Sequence, residues 1–225
     1  MLKLTRLFIL LILLPFNVVA VKTQPSAEVV VNANPQEKYY GDEKVLESIS
    51  ITYAKEIAAI EAYLDSYTTL TGLFKQAGKN GKISYGKLLI AKPGRIRCEY
   101  LKPSPITIII NEDRVTYYDK ELDEVSRTST ETNALKFLAI ENIRFADLNL
   151  VELEKDNHFL SLSIKEYSKE LKQNLIVTLK FLYPEVTLRQ LSIFTENNEV
   201  DMVFEQVLYD QPMSKKLFYF HKNSK

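Results

Sequence analysis

The chain of 225 residues contains two histidines, one cysteine, six glycines and no tryptophan. Its few histidine and cysteine residues are not clustered, whereas a structural or catalytic metal site needs several ligands together, so we expect no metal site. Glycine is too scarce for a phosphate-cradling loop, and neither a Gly-x-Ser-x-Gly motif nor a Ser/His/Asp arrangement is present. We therefore expect no catalytic residues, no cofactor and no enzymatic activity.

The single cysteine, Cys98, has no partner for an intramolecular disulfide. It alternates with charged residues on a predicted strand, so we expect its side chain to point inward as a small hydrophobe rather than to act as a nucleophile. Stability then depends on packing alone.

Neither sign of charge is in excess, because 29 basic residues balance 29 acidic ones. The sequence shows no basic stripe that would provide the electrostatic footprint of a nucleic-acid-binding protein. We expect no nucleic-acid partner.

The first twenty residues have the pattern of a secretory signal peptide. A basic start with Lys3 and Arg6 precedes the apolar run Leu7–Leu14, and a small residue, Ala20, closes the segment. These features predict a signal peptide over residues 1–20 and a periplasmic location. An uncleaved anchor is the alternative, but the run is shorter than the roughly 20 apolar residues that span a bilayer. Since no cysteine lies at the cleavage site, we expect a soluble mature chain.

Residues 21–43 show no consistent period and are predicted to form a flexible leader, with a short edge strand at Glu28–Val31 as the alternative. Residues 44–225 are predicted to form a single domain.

The domain begins with an amphipathic helix. Apolar residues recur at spacings of three and four and so share one face of a helix that must cover an apolar surface. These residues are Leu46, Ile49, Tyr53, Ile57, Ile60, Leu64 and Tyr67.

From Leu70 onward the apolar period is two, which predicts strands. Gly86–Ile90 and Ile96–Tyr100 form a hairpin around the turn pair Pro93-Gly94. The further predicted strands are Ile106–Ile110, Arg114–Asp119, Glu121–Arg127, Val151–Lys155, His158–Tyr167, Leu175–Tyr183, Arg189–Thr195, Val200–Leu208 and Leu217–Phe220. Consecutive antiparallel strands without βαβ spacing indicate an α+β fold with one curved sheet whose concave face the helices cover.

A second, central helix is predicted at Thr132–Glu141, with its apolar side formed by Leu135, Phe137, Leu138 and Ile140. Ile106–Ile110 is apolar on both faces. This pattern fits either a fully buried central strand or an inner face that lines a cavity, and the sequence leaves both readings open. An abundance of aromatic residues, 13 Tyr and 11 Phe, without any cofactor motif favours a lipid site.

The stretch from Leu73 to Arg127 resembles the periplasmic outer-membrane lipoprotein carrier family, LolA. The resemblance rests on Phe74-x-Gln76, the whole hairpin Gly86–Tyr100 with its Lys-Pro-Gly-Arg turn, Pro103, the apolar strand Ile106–Ile110, and Tyr117-Tyr118-Asp119-x-x-Leu122. Leu217–Phe220 is similar to the closing strand of the family.

This resemblance implies a half-open, incomplete antiparallel β-barrel around a concave apolar cavity, covered by the N-terminal helix and a central lid helix. It implies a carrier that takes acylated lipoproteins from an inner-membrane lipoprotein-releasing transporter, shields their acyl chains and passes them to an outer-membrane acceptor. A monomer is expected for a carrier that binds and releases. A carrier or sensor of another periplasmic lipid, a glycolipid or phospholipid, is the alternative on the same fold.

The resemblance also assigns residues. Lys92 stands where the family often has an arginine that hydrogen-bonds backbone carbonyls of the lid, so it is the candidate lid latch. Because lysine lacks the planar fork of arginine, we expect a weaker or differently arranged latch, and a solvated lysine at the hairpin end is the alternative. Cys98 replaces a bulky aromatic residue, and Thr132-Asn133-Ala134-Leu135 replaces a Thr-Pro-Leu opening of the lid helix. The residues expected to line the acyl cavity are Leu88, Ile90, Ile96, Cys98, Tyr100, Ile108, Leu135 and Leu138.

Overall fold

A computed structural model describes residues 43–79, 81–111, 114–129, 134–168 and 171–221. The predicted signal peptide, the leader up to residue 42 and the alternative strand Glu28–Val31 lie outside the described residues. None of the helices in the described part of the chain is long and apolar enough to cross a membrane.

The predicted N-terminal helix is two helices, α1 (Glu43–Thr52) and α2 (Ala54–Asp65). The break falls at Tyr53, whose φ of −116° and ψ of 25° depart from helical geometry. The hydrogen bonds still run across it, because the Tyr53 amide donates to the Ile49 carbonyl and the Ile57 amide to the Tyr53 carbonyl. The expectation that the helix extends to Tyr67 was wrong: the amide and hydroxyl of Ser66 both donate to the Tyr63 carbonyl and end it.

Eleven strands form one antiparallel sheet in the order β6-β5-β4-β3-β2-β1-β11-β10-β9-β8-β7. They are β1 (Thr69–Gly78), β2 (Ile83–Ala91), β3 (Arg95–Tyr100), β4 (Ile106–Asn111), β5 (Arg114–Asp119), β6 (Glu124–Ser129), β7 (Leu150–Lys155), β8 (Phe159–Ser168), β9 (Gln173–Leu182), β10 (Thr187–Phe194) and β11 (Glu199–Tyr209). The two end strands, β6 and β7, are not paired with each other, so the barrel stays half open. The predicted fold class is confirmed.

The strand predicted to begin at Glu121 begins three residues later, at Glu124. A carboxylate oxygen of Asp119 accepts hydrogen bonds from the amides of Glu121, at 2.8 Å, and Leu122, at 3.1 Å. These bonds hold the two residues in a turn, and the positive φ of Asp123, 53°, completes it.

The predicted central helix Thr132–Glu141 is shorter and tighter than expected. The chain forms a 3₁₀ helix at Ala134–Leu138, followed by another at Phe145–Asp147; Thr132 and Asn133 lie outside the described residues. We call residues 134–143 the central segment. The carbonyls of Leu138 and Ala139 accept hydrogen bonds from the Tyr67 hydroxyl and the Gly94 amide. The helix does not continue past Leu138.

The prediction of a closing strand at Leu217–Phe220 was wrong. Lys215–Phe218 is a 3₁₀ helix in a tail that crosses the outer, convex face of the sheet. Phe218 is 1% exposed and packs against Leu89 and Ala91 of β2. We call residues 213–221 the C-terminal tail.

The tail also explains why β4 is apolar on both faces. The side chains of Ile106, Ile108 and Ile110 belong to the inner core, whereas Thr107 and Ile109 lie on the outer face next to tail residues. Both faces of this strand are therefore covered.

Gly86 allows two aromatic rings to meet in the core. It lies opposite Phe74 on β1 and Tyr100 on β3, whose ring centroids are 5.2 Å apart. A Cβ atom at Gly86 would lie 2.3 Å from Phe74 Cζ and 2.7 Å from the Glu99 carbonyl oxygen. One of these groups is backbone, so the clash cannot be relieved by a rotamer change alone.

We predict that Gly86→Ala lowers the free energy of unfolding by about 2–3 kcal/mol, because overpacking displaces the Phe74 ring and the β3 backbone. Gly72→Ala is the matched control, since its Cβ would lie 3.4 Å from Val207 Cγ2, an ordinary contact. Denaturant titration checks both. Equal unfolding midpoints for the two variants would contradict the packing described for Gly86.

Candidate functional site

The eight residues expected to line a cavity are all buried, and all belong to one apolar cluster on the concave side of the sheet. Strand register brings Leu88, Cys98 and Ile108 side by side on three neighbouring strands. Ile90 and Ile96 are paired two residues further along β2 and β3, on the same face. The exposed fractions are Leu88 0%, Ile90 0%, Ile96 1%, Cys98 1%, Tyr100 8%, Ile108 3%, Leu135 0% and Leu138 0%.

Leu135 and Leu138 reach this cluster from the central segment, together with Phe137. The segment therefore buries its own apolar side chains against the residues expected to line the cavity. In this arrangement the concave face is covered by the protein itself.

The core extends well beyond the residues identified from the sequence. Strands β8 to β11 contribute more buried apolar residues to this cluster than β2 to β4 do, among them Leu162, Val177, Leu179, Phe181, Leu191, Met202 and Phe204. The period-two pattern of Leu175–Phe181 could have indicated that these strands face the core. The resemblance to the family was strong only in the first half of the chain, so strands β8 to β11 received no predicted site residues.

Two polar groups lie in the core and satisfy each other. The Tyr100 hydroxyl donates to Gln76 Oε1 at 2.6 Å, and both side chains are buried. Burial raises the pKa of Tyr100 well above its usual value, so the phenol stays neutral. The apolar character of the site is preserved.

Cys98 is a neutral thiol, because burial raises its pKa to about 12. The negative charge of Glu99 also disfavours the thiolate that nucleophilic chemistry requires. Among the described residues, no group of three or more His, Cys, Asp or Glu side chains is placed to hold a metal ion.

Lys92, the candidate latch, lies at the end of β2 with an exposed fraction of 8%. Its Nζ donates to the Leu64 carbonyl in the last turn of α2 and lies 4.2 Å from the centroid of the Tyr67 ring. A cation is favourable at a helix C-terminus and over an aromatic face. Burial lowers the pKa of Lys92, while nearby carboxylates, Asp65 first among them, oppose that shift.

The carbonyl that Lys92 bonds belongs to α2, one of the elements that cover the concave face, and two other groups hold the central segment. The Tyr67 hydroxyl donates to the Leu138 carbonyl at 2.9 Å, and the Gly94 amide donates to the Ala139 carbonyl at 2.9 Å. Lys92 thus orients the Tyr67 ring that makes one of these bonds.

Carboxylates of α2 fix the chain just after the central segment. Asp65 accepts from the Ile143 amide at 3.1 Å and pairs with Arg144 at 2.8 Å. Glu61 accepts from the Phe145 amide at 2.8 Å. The helix and the central segment are therefore joined by polar bonds at one end and by apolar packing elsewhere.

We predict that Tyr67→Phe speeds hydrogen exchange of the Gly94 amide about fivefold, since one neutral hydrogen bond contributes about 1 kcal/mol. The Gly94 amide reports on the central segment because its acceptor is Ala139. Tyr63→Phe is the matched control: it removes a hydroxyl from the same aromatic group, bonded to Tyr209 Oη at 2.8 Å instead of to the central segment. Unchanged Gly94 exchange in Tyr67→Phe would show that Tyr67 does not hold the segment.

The family model described as "Outer membrane lipoprotein carrier protein LolA" matches residues 65–221. An uncharacterized protein of Rickettsia prowazekii (strain Madrid E) is 31% identical over 166 residues, covering 73% of this chain and 76% of that protein. An outer-membrane lipoprotein carrier protein of Alkalilimnicola ehrlichii is 35% identical over 74 residues, covering 31% of this chain and 35% of that protein.

Among solved structures, a LolA superfamily protein from Nitrosomonas europaea aligns with a TM-score of 0.42 and 6% identity, over 74% of this chain and 97% of that one. The family model covers the whole sheet, the central segment and the C-terminal tail, and with it the hairpin on which the resemblance rested. The chain therefore belongs to the outer membrane lipoprotein carrier protein LolA family.

Proposed function

We propose that this protein is a periplasmic carrier that shields the acyl chains of lipoproteins in its concave apolar core and ferries them from the inner to the outer membrane. In this proposal the signal peptide directs export, an inner-membrane lipoprotein-releasing transporter loads the carrier, and an outer-membrane acceptor unloads it. The protein works as a monomer and catalyses no reaction.

The observation that supports this proposal most is the way the core is covered. Leu135, Phe137 and Leu138 fill the concave side from a short 3₁₀ segment rather than from a sheet strand or a long helix. Hydrogen bonds from Tyr67 and Gly94 to the carbonyls of Leu138 and Ala139 help to hold the segment in place. A cover of this kind can leave the core without disrupting the eleven-stranded sheet.

Acyl chains would take the place of these side chains. One chain that buries about 14 methylenes gains roughly 11 kcal/mol at about 0.8 kcal/mol each. Exposing three large apolar side chains costs roughly 6 kcal/mol on the same scale, and association itself costs at least about 4 kcal/mol.

The net free energy gained by binding a first acyl chain is therefore small, so binding is reversible. Further chains of the same lipoprotein add their burial without a second displacement of the segment. The displaced segment thereby keeps the affinity in the intermediate range that a carrier needs.

The alternative is a carrier or sensor of another periplasmic lipid, a glycolipid or phospholipid, in the same core. The apolar core contacts only the acyl chains, which these ligands share. Mass spectrometry of apolar material that copurifies with the protein from the periplasm separates the two: acylated protein or peptide supports the first, and free lipid alone supports the second.

We predict that Ile96→Glu lowers the extraction of acylated lipoprotein from inner-membrane vesicles at least tenfold, because a carboxylate at this position must be desolvated in the core. Leu101→Glu adds the same charge one residue beyond the strand, where Leu101 is 56% exposed, and should extract normally. Quantitative mass spectrometry of the soluble fraction measures both.

Circular dichroism shows whether Ile96→Glu is folded. If it is unfolded, Ile96→Asn replaces it, because a neutral amide disturbs the core less. Extraction by either folded variant at the level of Leu101→Glu would contradict the assignment of the core as the acyl site.

A further inference from the structure

The outer face of the sheet has a groove on either side of the C-terminal tail. The larger lobe, of about 460 Å³, lies over β4, β5 and β6, and the smaller one, of about 350 Å³, lies over β3, β4 and β5. Tyr219, Phe220 and His221 line both lobes. The tail therefore runs between them.

Cationic residues line both lobes, and no acidic residue does so among the residues that the structure describes. Arg114 and Arg127 line the larger lobe, and Arg97, Lys120 and Lys216 line the smaller one. Arg97 pairs with Glu99 at 2.6 Å. The sequence as a whole has equal numbers of acidic and basic residues, so the fold has gathered positive charge that no basic stripe in the sequence revealed.

Apolar side chains project beside these cations. Leu217 is 39% exposed and Tyr219 is 52% exposed. Phe220 packs against Tyr118 at 5.0 Å and lies 6.0 Å from the Arg127 guanidinium, both measured to ring centroids. Arginine and lysine next to exposed tyrosine and leucine are the residues that proteins place at a membrane–water interface.

A buried polar group points to a ligand in the smaller lobe. Thr107 lies in its lining, is 2% exposed, and its Oγ1 has no hydrogen-bond partner among the described residues. A buried hydroxyl without a partner is uncommon in folded proteins. Phosphate oxygens accept hydrogen bonds, and such a hydroxyl and the neighbouring guanidinium and ammonium groups can all donate to them.

We propose that the C-terminal tail and the two lobes form a docking surface for an anionic phospholipid bilayer, with lipid phosphates in the lobes and the side chains of Leu217 and Tyr219 in the interfacial layer. The tail divides the groove into two compact lobes, which suits separate phosphate groups better than one extended acidic peptide. This surface lies on the opposite side of the sheet from the core. Its role does not depend on what the core carries.

Vesicle flotation tests the proposal with the whole mature protein. Wild type should float with vesicles of equal parts phosphatidylcholine and phosphatidylglycerol, should not float with phosphatidylcholine alone, and should be released by salt. The variant Arg114→Gln/Arg127→Gln/Lys216→Gln should show a partition coefficient lower by on the order of 100-fold, at about fivefold for each cation near the surface.

The matched control Lys55→Gln/Lys79→Gln/Lys172→Gln removes the same charge from exposed positions elsewhere and should bind like wild type. Leu217→Ser/Tyr219→Ser changes no charge and should also weaken binding, and unfolding midpoints verify that every variant is folded. Equal losses in the two triple variants, or equal flotation with both kinds of vesicle, would overturn the proposal.

Two soluble anions test whether the lobes bind a ligand other than the bilayer. Inorganic phosphate and polyglutamate are each titrated against the protein by NMR, with the Phe220 and His221 signals as reporters. Saturable binding of either one at the lobes, without flotation on anionic vesicles, would overturn the lipid surface as the ligand. It would assign the groove to a free phosphate or to an acidic protein partner instead.

Discussion

The structure depends on apolar contact between the concave face of the sheet and the segment that covers it. An eleven-stranded sheet that curves without closing leaves an inner surface of isoleucine, leucine and phenylalanine that water would otherwise contact. Helix α2 covers part of that surface with Ile60 and Leu64, both 0% exposed. The central segment covers a further part, and bonds from Tyr67, Gly94 and Asp65 position this apolar cover.

Those polar bonds form a chain that starts from the β2–β3 hairpin. The backbone of Gly94 holds Ala139, and the hydroxyl of Tyr67 holds Leu138, while Lys92 joins the Tyr67 ring to the end of α2. The Lys92 side chain is buried, and burial lowers its pKa. The cost of desolvating this charge offsets part of the stabilisation that its contacts with Leu64 and Tyr67 provide. These contacts are neutral hydrogen bonds and one desolvated cation, each of which contributes only modestly to stability.

Much of this fold could be predicted from local sequence patterns. Period-two alternation located the strands from β1 to β11, and Pro93-Gly94 located the hairpin that carries Lys92. The eight residues predicted on the concave side do lie in one cluster. Features that depend on distant partners were missed: the 3₁₀ form of the central segment, the tail on the outer face and the basic lobes beside it. In each case the deciding contact joins residues far apart in sequence, as when Arg97 donates to the Leu217 carbonyl.

The central claim is that acyl chains enter the concave core in place of the central segment. Intermolecular nuclear Overhauser effects between a triacylated lipopeptide and the methyl-labelled protein test it most directly. The account predicts contacts from acyl methylenes to the methyl groups of Ile96 and Ile108, with simultaneous loss of the contacts that Leu135 and Leu138 make to the sheet. Binding of the lipopeptide with contacts only to the outer face, or with the Leu135 and Leu138 contacts intact, would contradict it.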